Sequence, residues 1–185
     1  MLCEELSRPP TQEELVRRYL DLCKAEISEK GVNPDYVANR IARAWATYVG
    51  ELDFYSQVRD SGLFDKVILD TELDYKLGYN LGVVYKRKTF YIHLYYYYKE
   101  RRGWAEKWIE TKDKRKREIR TRLELPDPIE FPLTDEDADV VGGIHLYTAE
   151  HVQKLRKMLA DRKGMPSVET VLQKLEVDKG WMQMF

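Results

Sequence analysis

Two of the three imidazoles of this chain sit in two copies of one string, Ile92-His93-Leu94-Tyr95 and Ile144-His145-Leu146-Tyr147. On a strand, alternation places His and Tyr on one face and Ile and Leu on the other. If the two strands are parallel neighbours, His93 and His145 stand side by side and can share a ligand; otherwise each is a histidine on a polar strand face. Asp70, Glu72 and Asp74 offer hard oxygen donors of the kind that hold Mg²⁺ or Mn²⁺, or are solvated turn residues. Lys112, Lys114, Arg115, Lys116 and Arg117 form a basic run dense enough to contact phosphates, tempered by Glu106, Glu110, Asp113 and Glu118 at helical pair spacing. Tyr91 and Tyr95 to Tyr98 could stack on bases, although a half-buried strand surface also favours tyrosine. Glu110-Thr111-Lys112 is a literal E-x-K, but in a helix residues two apart face away from each other. Pro126-Asp127 precedes no suitable strand.

These groups need elements to hold them. Thr11 followed by Gln-Glu-Glu reads as a helix cap, with Leu15, Tyr19, Leu22 and Ile27 at near-helical spacing up to Gly31. Asn33-Pro34 starts a second, long amphipathic helix that runs to Ser61-Gly62, with a break expected near Gly50. A short strand is expected over Lys66 to Asp70. Tyr79 to Lys86 and Thr89 to Tyr98 read as a hairpin joined by Lys86-Arg87-Lys88. Gly103 opens a helix carrying Trp104, Trp108 and Ile109. The passage with Pro126, Pro128 and Pro132 can only be loop or edge strand. Val140 to Tyr147 reads as a strand, Thr148 as the cap of a helix with Val152, Leu155 and Leu159 on its apolar face, and Pro166 to Leu175 as a last short helix before an apolar tail.

Taken together, residues 50–99 resemble the Holliday-junction-resolvase and Mrr branch of the PD-(D/E)XK nuclease superfamily. The resemblance is carried by Gly50-Glu51 in a helix, Ser-Gly-Leu-Phe-Asp-Lys-Val after it, Gly78-Tyr79-Asn80 entering a strand, and Thr89 to Tyr95 as its hairpin partner. It implies an αβββαβ core with a mixed four-stranded sheet, preceded by an N-terminal helical segment. It also implies that Val140–Tyr147 lies parallel to Thr89–Tyr98; placed elsewhere, that strand would make the likeness accidental. Carried over position by position, the helix Glu is Glu51, the Asp of G-x-D falls on Asn80, the Glu of E-x-K on His93 and its Lys on Tyr95. Neutral Asn binds Mg²⁺ poorly, imidazole suits softer metals, and Tyr cannot act as an ammonium. The expectation is therefore a degenerate metal site, with Glu51 and Asp74 as its remaining carboxylates. Mg²⁺ or Mn²⁺ is the cofactor only if catalysis survives. Nucleic acid is the expected partner, bound through the basic run in a restriction, repair or mobile-element setting; a protein partner or a second copy of the chain is the alternative.

The bulk composition fits one domain. The 185 residues, 43% hydrophobic and 34% charged, can build a single core and fit a folded α+β protein rather than a disordered one. We divide the chain into N-terminal helices over 1–62, the nuclease-like core over 63–163, and a C-terminal helix with an apolar tail over 164–185. Cys3 and Cys23 lack the spacing of a disulfide framework or zinc site, and no apolar run is long enough for a membrane span, so a cytoplasmic protein is expected. The net charge of -1 conceals an asymmetry: residues 99–122 hold 11 Lys and Arg against 5 Asp and Glu, whereas 124–161 hold 9 acids against 3 bases. The absence of GxxxxGK[ST], GxGxxG, HExxH and GxSxG removes support for nucleotide, dinucleotide, zincin and hydrolase chemistries.

Overall fold

The computed structural model describes residues 11–97, 114–134, 136–142 and 144–182. Helix α1 (Gln12–Leu22) starts at Thr11, whose side chain and that of Glu14 form a reciprocal capping box. A short α2 (Lys24–Glu29) follows beyond Cys23, a free thiol at the junction. Helix α3 (Pro34–Asp60) is capped by Asn33 and runs unbroken through Gly50. The break expected at Gly50 is absent because the residue serves tertiary packing: a Cβ there would lie 3.1 Å from the His145 carbonyl oxygen. Glycine at this position lets another segment cross close to the helix.

Strands β1 (Lys66–Ile68), β2 (Leu81–Tyr85), β3 (Lys88–Tyr97) and β4 (Ile129–Thr134) form one sheet in that order. The first three pair antiparallel, and β3 with β4 parallel, with His93 opposite Glu130 and Tyr95 opposite Pro132. A single π-helical turn (Leu73–Leu77) precedes β2, and helix α4 (114–122) lies between β3 and β4. The chain ends in α5 (Ala149–Leu159) and α6 (Val168–Met182). The protein is thus α+β with a four-stranded mixed sheet.

The expected hairpin is present, but the expected last strand is not where the sequence placed it. Val140–Tyr147 forms a separate two-stranded hairpin, β5 (Asp139–Val141) with β6 (Ile144–Leu146), outside the main sheet. The parallel neighbour of β3 is instead the proline-containing β4. Proline is tolerated there because β4 is an edge strand, and Ile129, Phe131 and Leu133 alternate inward. His93 and His145 are therefore not strand neighbours. The start of the basic helix, with Trp104, Trp108 and Lys112, lies outside the described residues, as do Cys3 and Tyr98. The last helix is longer than expected, reaching Met182.

The sheet is covered on both faces. Phe54 and Val58 of α3 and Val152, Leu155 and Leu159 of α5 pack on Phe90, Ile92, Leu94 and Phe131. Phe54 is fully buried, its ring 4.3 Å from Tyr147 and 5.6 Å from Phe131; burying a side chain of this size contributes about 2–3 kcal/mol. On the other face, Leu73 and Leu77, Ile119 of α4 and Leu123 just after it, and Val171 and Leu175 of α6 enclose the stacked rings of Tyr79 and Tyr91. Both phenols donate to backbone carbonyls, Tyr79 to Pro126 and Tyr91 to Pro166, and burial pushes both pKa values up. Among the described residues no helix is long and apolar enough to cross a membrane.

Candidate functional site

The candidate site gathers at the end of the sheet where β2 begins. Asn80, 8% exposed, precedes β2 and lies beyond the last paired residues, Leu81 and Ile92. Its Oδ1 accepts the backbone N–H of Leu94 at 2.9 Å. That bond fixes the amide orientation, since only the oxygen can accept. The Nδ2 group consequently points at two carboxylates, donating to Asp74 Oδ1 at 3.0 Å and reaching Glu51 Oε1 at 3.5 Å. Glu51 comes from α3 and Asp74 from the π-helical turn, so three elements converge on one amide.

Local sequence explains the delivery of Asp74. Asp70 Oδ1 accepts the N–H groups of Glu72 and Leu73, which starts the helical segment, and Gly78 closes it in the left-handed region at φ +73°. Glu72 pairs with Lys76 at 2.8 Å. Of the three acids in this segment, Asp70 is therefore a cap, Glu72 forms a local ion pair, and Asp74 joins the cluster.

Two cations from α4 cover the carbonyl end of the same turn. Lys116 Nζ donates to the Asp74 carbonyl at 2.7 Å and lies 3.6 Å from Asp74 Oδ1. One turn on, buried Arg120 donates to the Leu77 carbonyl at 2.6 Å and to Asp127 Oδ1 at 2.9 Å. Cations at a helix carbonyl end are electrostatically favoured, which accounts for both. Lys116 was expected on the nucleic-acid surface; the structure commits it to Asp74, while Lys114, Arg115 and Arg117 of the same helix are exposed. Its helical spacing from Arg120 was the available sequence signal, but its partner is 42 residues away.

Of the other predicted positions, Tyr95 stays beside Glu51 and His93 turns away. His93 turns to β4, its Nδ1 3.0 Å from Glu130 Oε2. Tyr95 lines a narrow crevice with Thr47, Gly50, Glu51, Leu133, His145 and Tyr147. The structure thus brings His145, and not His93, to the neighbourhood of Glu51. Tyr147, on the floor of this crevice, donates to the Phe131 carbonyl at 3.1 Å. Burial, then the Glu51 charge, raises its phenol pKa.

Of the acidic segment, the described Asp137 is held on the α5 side of the sheet. Asp137 accepts from the Thr134 N–H and hydroxyl and lies 3.4 Å from His151 on α5, across the sheet from α4. Hydrogen bonds from Thr134 lower its carboxyl pKa against the opposing effect of partial burial. His151 Nδ1 accepts the Thr148 N–H at 3.0 Å, doing at the start of α5 what Glu does in a capping box.

Among the described residues no group of three or more His, Cys, Asp or Glu side chains is arranged to hold a metal ion. In the Glu51–Asn80–Asp74 cluster the carboxamide N–H groups occupy the space between the carboxylates, and Lys116 adds positive charge beside Asp74. The donor set therefore does not fit a divalent cation. Compared with protein families, with curated proteins and with solved structures, the chain matches none.

Proposed function

We propose that this is a nuclease-fold protein whose metal site is replaced by a hydrogen-bonded network, and that it works by binding nucleic acid. One observation carries the reading: the Asn80 amide, oriented by the Leu94 N–H, stands between Glu51 and Asp74 where a hydrolytic site would need a cation. The nuclease likeness was tied to Val140–Tyr147, and on that strand it fails. Its support comes instead from the helix, three-strand, helix, strand order that ends in Ile129–Thr134, parallel to β3. A restriction, repair or mobile-element role is what that likeness implies.

A second reading, a live endonuclease using Glu51, Asp74 and His93 with Mg²⁺ or Mn²⁺, is favoured by one contact. Lys116 beside Asp74 supplies the ammonium that Tyr95 cannot. The engagement of His93 with Glu130 counts against it.

A binding titration against salt, run alongside a cleavage assay, tests the proposal. The wild type should bind DNA or RNA at low salt and show no Mg²⁺- or Mn²⁺-dependent cleavage. Lys114→Ala with Arg115→Ala should flatten the log–log salt slope by about two units while leaving the fold intact. Robust cleavage that vanishes in Glu51→Ala or Asp74→Ala installs the second reading. If neither nucleic acid binds at low salt, the protein is better read as a non-catalytic protein-interaction module.

A further inference from the structure

A second cationic surface lies at the opposite end of the sheet from Asn80, about 15 Å away along β2. Its centre is the β2–β3 turn. Tyr85 pairs with Lys88, which leaves Lys86 and Arg87 as a two-residue loop. Both have positive φ, +51° and +61°. A two-residue hairpin loop of this kind requires positive φ at both positions, which is why Asn-Gly is the preferred pair. Any residue that carries a Cβ is strained there, and here the strained positions hold two long cations.

The tertiary structure brings further positive charge to the same end. Lys88 is exposed, and its Nζ donates to the Arg162 carbonyl at 3.3 Å. The backbone joins these segments through a bridge between Thr89 and Met165, whose N–H donates to the Thr89 carbonyl at 2.8 Å. Gly164 rests on the Lys88 side chain, with its ideal Cβ position 2.9 Å from Lys88 Cβ, so only glycine allows this approach and exposed Lys163 is held beside it. From α5, the Arg156 guanidinium lies near enough to the Tyr85 hydroxyl to lower its pKa, and Lys86 Nζ lies 5.3 Å from the centre of the Tyr85 ring. Among the acids, the Asp65 carboxylate accepts the Arg87 N–H at 2.9 Å, and Asp161 directly precedes Arg162 in the chain. Two segments far apart in sequence, 86–88 and 156–163, thus present Lys86, Arg87, Lys88, Arg156, Arg162 and Lys163 together, all of them exposed.

We propose that this hairpin end is a phosphate-backbone contact surface for nucleic acid, separate from α4, and that the strained Lys86-Arg87 turn is retained for its charge. The surface deepens the nucleic-acid reading and rests on it. A nucleic-acid backbone is favoured over a lipid surface because the turn carries only charged side chains, with no apolar residue to enter a bilayer interface. Backbone contacts of this kind set affinity and salt dependence without reading sequence.

The test is Lys86→Asn with Arg87→Gly, which removes two charges and installs the turn's preferred pair. Binding of a short DNA duplex and a single-stranded RNA is titrated against salt, with phosphatidylserine vesicles and polyglutamate as the other probes. The expected result pairs a log–log slope flattened by about two units with a Tm unchanged or raised by about 2–4 °C. Lys88→Gln with Lys163→Gln, which leaves the turn alone, should flatten the slope in the same way. Unchanged slopes in both variants overturn this proposal while leaving the function reading in place, provided that Lys114→Ala with Arg115→Ala still weakens binding. Binding of vesicles or polyglutamate in preference to both nucleic acids overturns it in favour of that partner. No binding of nucleic acid by the wild type removes both readings.

Discussion

Replacing Asn80 by Asp tests the geometry of the site directly. The new carboxylate would keep the Leu94 N–H on one oxygen and turn the other toward Asp74 and Glu51, where the amide now reaches 3.0 and 3.5 Å. At an effective dielectric near 20, two like charges about 4 Å apart repel by about 4 kcal/mol. Asp74 is partly exposed and Lys116 lies 3.6 Å from it, so each repulsion is reduced. A net loss of about 3–5 kcal/mol is expected, about 1.5–3 kcal/mol of it from the lost donor bond to Asp74 and the remainder from the reduced repulsion. In a chain of this size that lowers Tm by about 6–20 °C. The cluster would hold protons above the ordinary carboxylate range, so the folded state binds more protons than the unfolded one. Stability of the variant should therefore fall as pH rises from about 4 toward neutrality. A divalent cation at a hundredfold its Kd should restore about 2.7 kcal/mol. Thermal unfolding of wild type and variant, with and without Mg²⁺ or Mn²⁺ over a pH series, reads all three effects. A variant as stable as the wild type at neutral pH, and indifferent to metal, would refute the claim that the amide stands between two carboxylates.

Two further perturbations separate packing from binding. Lys116→Ala removes the bond to the Asp74 carbonyl and should cost about 1–3 kcal/mol in denaturant unfolding, whereas Lys114→Ala costs well under 1 kcal/mol; equal costs would mean that Lys116 is an ordinary surface cation. Gly50→Ala gains about 1 kcal/mol of helix propensity but pushes a methyl against the His145 carbonyl, so a net loss of up to about 2 kcal/mol is expected; a full gain would show that the β5–β6 hairpin yields freely.

Much of the fold was written locally. The Thr11 and Asn33 caps, the helical spacing through α3, and the alternating hairpin residues each depend on neighbours a few positions away, so short-range sequence determined them. Positions 51, 80, 93 and 95 were read as a set through a family likeness, with Asp74 as an added carboxylate; the structure joins 51, 74 and 80 and turns His93 away to Glu130. Only tertiary structure decided which strand lies parallel to β3. Val140–Tyr147 has strand-like composition, yet an edge position made Pro132 acceptable and the inward alternation of Ile129, Phe131 and Leu133 filled the core. The roles of Lys116 and Asn80 were likewise beyond local reading, because each depends on partners from other elements. A lysine in a basic run looks the same whether it meets phosphate, solvent or a carbonyl. An asparagine reveals which carboxylates it serves only when a distant N–H has fixed its amide. The cationic surface at the hairpin end forms for the same reason: Lys86-Arg87 is a short turn in sequence, and folding brings Arg156, Arg162 and Lys163 beside it.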